Sequence, residues 1–204
     1  SKMLFRIYVS IALVYILYLL TVHINNLKYL TTWTIVTQGL YFASEHHWNI
    51  KIPNFFQNLT WTLSIFLIVY WPLKYYFNWD TPTTQSYWIH DLMIHGVNIL
   101  LVIGAVIAKP RLEYRLFYIP MLAGGAYLIF AIIYTAHGHT IYPTNFFKTD
   151  YRLLYDAIAV LVGAPAIHCT GVWLTKQKDR LDKYSILPTA KKGWWQKKLL
   201  QTND

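Results

Sequence analysis

Long apolar stretches alternate with short polar ones along almost the whole chain. The apolar runs fall at residues 3–22, 27–44, 59–77, 89–108, 116–136 and 153–175. About 20 apolar residues, rising 1.5 Å each, cover a hydrocarbon core about 30 Å thick. The pattern therefore predicts an all-α integral membrane bundle of about six transmembrane helices, with both termini on the same side, cytoplasmic or matrix. The second run is the shortest and the most polar. The first is too long and lacks the A-x-A site of a secretory signal, so it is expected to stay as an uncleaved span. Residues 1–175 read as the transmembrane domain and residues 176–204 as a basic juxtamembrane tail.

Composition agrees. Apolar residues make up 55% of the chain and charged residues 13%, where soluble globular domains carry about 25% charged. Cys169 is the single cysteine, so no internal disulfide forms. The net charge of +9 raises the question of nucleic acid, but residues 176–204 supply +5 of it. A basic tail beside a span reads as a topology determinant and a contact for lipid headgroups. Membrane lipids are thus the expected partners, with other membrane subunits as an open alternative and no nucleic acid. With the N-terminus inside, fourteen of the eighteen lysines and arginines lie on the inner side, as the positive-inside rule requires. Residues 190–200 (AKKGWWQKKLL) form either an interfacial helix or a solvated tail. Asn58 begins an N-x-T sequon that this topology puts inside, against the bilayer, where it is expected to go unused.

Ionisable and polar groups inside a bilayer are costly, so each needs a reason. Thr31, Thr34 and Gln38 descend from the outer end of span two. Asp91, His95 and Asn98 lie at i, i+4 and i+7 on one face of span four, and His137 and His139 close the outer end of span five. Arg152 and Asp156 open span six. All occupy the outer half, as a polar pocket in that half would require. Arg152 and Asp156 also read as an intrahelical ion pair, and His168 as a packing residue bonded to a neighbouring helix. Asp91 and His95 with His137 or His139 offer three donors for a metal, but at no recognised ligand spacing, and no cofactor or metal is expected.

Three segments carry a resemblance: LKYLTTWTIVTQGLYF opening span two, HGVN in span four, and the tyrosine-rich run of span five closing with IYP. Their order resembles the membrane family of androgen-induced protein and androgen-dependent TFPI-regulating protein, and the related rolling stone proteins, linked to myoblast fusion. It covers most of residues 25–145. The resemblance implies a threonine hydrolase of fatty acid esters of hydroxy fatty acids. The family's threonine falls on Thr31, but its histidine falls on Asn98, which cannot serve as a base.

Two readings follow. In the first, Thr31 attacks a lipid ester, His95 replaces the family's base, Asp91 orients the imidazole and Asn98 helps hold the oxyanion, with Thr34, Gln38, His137, His139, Arg152 and Asp156 around the site. In the second, a non-catalytic rolling-stone-like protein or accessory subunit of a larger complex uses the same groups to join helices. The expected location is the endoplasmic reticulum or plasma membrane, with a mitochondrial membrane also open.

Overall fold

The computed structural model describes residues 2–47, 49–76, 89, 92–139, 141, 154 and 157–186. Among these every regular element is helical, so the chain is all-α. Helix α1 spans Lys2–His23, α2 Leu30–Ser44 and α3 Lys51–Tyr76. Helix α4, Asn98–Ala108, continues from a π-helical turn at Met93–Val97. Helix α5 spans Tyr118–Ala136, and α6, Ala164–Ile186, continues from a second π turn at Ala159–Gly163. Pro165 explains the second π turn, because it has no N–H for the carbonyl four residues back and its ring crowds that carbonyl.

The helices run up and down. The start of α1 and the ends of α2 and α4 meet around one cavity, lined by Lys2, Arg6, Glu45, Lys109 and Arg111. At the opposite end the Tyr127 hydroxyl of α5 donates to the Lys28 carbonyl just before α2, at 2.8 Å. Val9, Ala12, Ile16 and Leu19, one face of α1, pack in a cluster with Ile35 and Phe42 of α2 and Val102, Ala105 and Val106 of α4. The other face of α1 leaves Leu4, Ile11, Val14 and Leu17 exposed, and α5 exposes Leu122, Ile129 and Ile133.

Two helical stretches, Lys2–Val22 and Tyr114–Ala136, are long and apolar enough to cross a membrane; Met93–Ala108 is apolar but shorter. The core helix of a soluble protein would be mostly buried, yet only 22% and 28% of these two stretches are. Meanwhile the polar residues of the middle helices face inward: Thr34, Gln38, Gln57, Asn58, Thr60, Thr62, Ser64, Asn98 and His168 are all fully buried. Exposed apolar faces on α1 and α5 and buried polar groups inside are what an apolar surrounding medium favours.

Inward polar groups need partners. The segment joining α4 to α5 supplies many of them. The Gln57 amide donates to the Lys109 carbonyl at 3.0 Å and accepts from the Arg111 N–H at 2.6 Å. The Asn58 amide donates to the Arg111 carbonyl at 3.1 Å and accepts from the Glu113 N–H at 2.9 Å. Two adjacent side-chain amides thus bond alternate backbone groups of the 109–113 segment, as a neighbouring strand would. His168 Nε2 donates to the Glu113 carbonyl at 2.9 Å, and its Nδ1 stands 3.4 Å from the Thr62 hydroxyl. Its expected packing role holds. The helix of Gln57 and Asn58 begins at Lys51, eight residues before the apolar run that predicts it. Hydropathy reads those amides as loop, whereas the 109–113 backbone satisfies them.

Candidate active site

Thr31 stands in the first turn of α2, and His95 is the middle residue of the π turn leading into α4. The Thr31 hydroxyl lies 3.1 Å from His95 Nε2, and both residues are half-buried. A π turn widens the helix by one residue and re-aims the side chains it carries, which is why such turns recur at functional sites. This turn is held from outside: the Tyr15 hydroxyl of α1 donates to the Met93 carbonyl at 2.9 Å. With its ring proton on Nδ1, His95 accepts the threonine hydroxyl through Nε2, the arrangement that raises a hydroxyl's nucleophilicity.

One turn beyond His95 the polar stripe becomes a clamp. Asn98 Nδ2 donates to Gln38 Oε1 at 2.9 Å, and Gln38 Nε2 donates to the Ser64 hydroxyl at 3.0 Å. This relay joins α4, α2 and α3 through three fully buried side chains. The Asn98 oxygen accepts from the N–H of its own neighbour, Ile99, at 2.9 Å. The Asn98 amide is therefore engaged with α2, one turn away from the residue that meets Thr31.

The other anticipated residues lie as follows. Thr34 turns its hydroxyl back to the Leu30 carbonyl of its own helix, at 3.0 Å. His137 and His139 are exposed at the end of α5, where His137 Nδ1 donates to the Ile133 carbonyl at 2.8 Å and His139 stacks on Tyr134 with ring centres 4.7 Å apart. Asp91, Arg152 and Asp156 lie outside the described residues. Among the described residues no group of three histidines, cysteines or carboxylates is placed to hold a metal.

Neither Thr31 nor His95 lines the apolar cleft that opens at the start of α2. Leu30, the residue before Thr31, lines a cleft of about 70 Å³ with Leu63, Phe66, Tyr127, Leu128 and Val160. The rings of Tyr127 and Phe130 also pack on Trp33 of α2, with centres 5.4 and 5.7 Å away.

Sequence reasoning singled out the polar outer half but missed Glu45, Gln57 and Ser64. A signal was present: Gln57 and Asn58 are adjacent amides beside an apolar run, and Glu45 is the lone acid between residues 1 and 79. No family model matches the chain, and no curated protein or solved structure matches it.

Proposed function

We propose that the protein is a six-helix integral membrane hydrolase that cleaves acyl esters of lipids, with Thr31 as nucleophile and His95 as general base. The observation that carries this reading is the 3.1 Å approach of the Thr31 hydroxyl to His95 Nε2. The membrane part rests on the outward apolar faces and the inward polar ones, the ester part on the apolar cleft that begins at Leu30.

In the first step the Thr31 oxygen bonds to the ester carbonyl carbon while its proton passes to His95 Nε2. Collapse of the tetrahedral species breaks the bond to the alcohol oxygen, which leaves with the proton from His95. Water then gives a proton to His95 and attacks the acyl-threonine, releasing the fatty acid and restoring the hydroxyl. Asp91, four residues before His95 in the sequence, is assigned the orienting carboxylate. Asn98 is assigned a positioning role: through Gln38 it fixes the register of α4 on α2, and so of His95 on Thr31.

The test is hydrolysis of a panel of lipid esters by the full chain in lipid vesicles. General-base catalysis contributes about 10² to 10⁴ in rate. His95→Gln should lower turnover by that order and Thr31→Ala should abolish it, while Thr31→Ser keeps part of it. Turnover equal in wild type and both variants would refute the reading.

A second reading has its own support. The Asn98–Gln38–Ser64 relay and the Gln57 and Asn58 bonds spend buried polar groups purely on joining elements. An accessory membrane protein whose polar interior only holds helices together would use them in the same way. It predicts that Thr31→Ala changes stability alone.

A further inference from the structure

At the end of the bundle away from Thr31, a cavity of about 640 Å³ opens between the start of α1 and the ends of α2 and α4. Among the described residues four cations line it, Lys2, Arg6, Lys109 and Arg111, with one carboxylate, Glu45. That carboxylate is already engaged. Its side chain is 1% exposed, Lys109 Nζ lies 3.2 Å from Oε2, and the Arg111 guanidinium approaches at 2.8 and 3.0 Å. Glu45 therefore neutralises about one charge and anchors the Arg111 side chain, itself 9% exposed, as a fixed positive wall. Phe5 receives Lys109 Nζ 5.2 Å from its ring centre, holding that ammonium at the cavity too. Lys2 and Arg6, one turn apart on α1, are exposed at the rim.

Helix dipoles do not explain this concentration of charge. Two helix starts, of α1 and α3, and two helix ends, of α2 and α4, meet here, so their partial charges oppose one another. The side chains set the sign, and they leave about three positive charges in excess around one concavity. A topology determinant needs basic residues near the span ends but no cavity between them. A cavity that size, with Arg111 fixed against a buried acid and two exposed cations at its mouth, has the form of a phosphate site. The Arg111 fork faces Glu45, so Arg6 supplies the planar paired donors and Lys2 a point charge.

We infer that this cavity binds a phosphate monoester, carried either on an anionic lipid headgroup or on a soluble molecule. His46 lies on the same wall and can add a hydrogen bond to a phosphate oxygen. The inference is independent of the chemistry at Thr31, because the two sites occupy opposite ends.

The experiment measures binding to the full chain in neutral detergent by intrinsic tryptophan fluorescence and by native mass spectrometry. The probes are dioctanoyl phosphatidic acid, glycerol 3-phosphate, and dioctanoyl phosphatidylcholine as the zwitterionic control. Saturable binding of phosphatidic acid, weakened at least tenfold by Lys2→Gln with Arg6→Gln and unchanged by Lys28→Gln at the opposite end of the bundle, is expected. Raised salt should weaken it as well. Glycerol 3-phosphate binding as tightly would identify a soluble phosphate as the occupant, and binding only of the lipid would identify a headgroup. Equal binding of phosphatidylcholine, or of phosphatidic acid by the double variant, would overturn the inference, as would no binding of either phosphate probe. Unchanged thermal unfolding of the double variant excludes a folding defect, since both side chains are exposed.

Discussion

Tyr8 of α1 packs directly over Gly104 of α4: the Tyr8 hydroxyl donates to the Leu101 carbonyl at 2.5 Å, and a Cβ added at Gly104 would stand 2.6 Å from that hydroxyl oxygen. Only a glycine leaves room for the tyrosine. Seven residues further along α1, Tyr15 bonds Met93 at the start of the π turn. The two tyrosines thus tie one face of α1 to the helix that carries His95.

Gly104→Ala should therefore destabilise the protein by about 1–3 kcal/mol, the usual cost of overpacking. Tyr8→Phe alone should cost less, because interhelical side-chain bonds in membrane bundles average about 0.6 kcal/mol. Combined, the two substitutions should be less harmful than their sum, since removing the hydroxyl relieves the clash. Thermal unfolding of the three variants in detergent measures the coupling, and strict additivity would contradict it.

Gln57→Met keeps the length of the side chain but strips both its bonds to the 109–113 segment. A buried backbone group without a partner costs about 1–3 kcal/mol. Two are orphaned, so a loss of about 2–5 kcal/mol is expected, with faster proteolysis between residues 109 and 113. A variant as stable as wild type, and cut no faster there, would mean that water replaces the amide.

Glu45→Gln removes the only carboxylate, among the described residues, that lines that cavity beside Arg111 and Lys109. Breaking one side of a buried ion pair costs about 3–5 kcal/mol, because the remaining charge stays desolvated. Arg111→Met added to Glu45→Gln should recover much of the loss. If the double variant unfolds earlier than the single one, the arginine contributes through packing rather than through its charge.

If the protein is the proposed hydrolase, Asn98→His adds a second histidine three residues from His95, yet it should reduce activity rather than raise it. The position is fully buried and its amide is bonded to Gln38. The larger ring displaces that bond and shifts His95 from Thr31. Steady-state kinetics should show kcat falling by about tenfold or more, as small misplacements at a reacting pair do, with KM little changed. A gain in kcat would move the base from His95 to residue 98.

Asn58 should carry no glycan when the chain is expressed in eukaryotic cells. Its amide is fully buried and bonded at both ends to the 109–113 segment. Treatment with an N-glycosidase should leave gel mobility and mass unchanged.

Much of this architecture is legible in the sequence because burying a helix's backbone in an apolar medium demands a long apolar run. The first span, read as 3–22, is the helix Lys2–His23, and the fifth, read as 116–136, is Tyr118–Ala136. The same logic misjudges α3 and α6. Hydropathy ends the sixth run at Thr175, yet α6 continues to Ile186, because polar residues can extend a helix beyond an apolar environment. For α3, transfer cost is only half of the matter, since Asn58 and Gln57 are costly to bury alone and acceptable once paired.

Periodicity alone determined that Thr31, Gln38, His95 and Asn98 occupy the same half of their helices, because the rise per residue is constant. Which of them meet was decided by tertiary structure. His95 and Asn98 are three positions apart on one helix, yet one meets Thr31 and the other Gln38, seven residues further along α2. The basic cavity depends equally on assembly: Lys2, Glu45 and Arg111 are far apart in the chain, and only the up-and-down packing of α1, α2 and α4 brings them to one wall. Local pattern sets the depth of a side chain, because depth follows from position along one helix. Its partner depends on the rotation and register of two helices, which the packing of all their neighbours fixes.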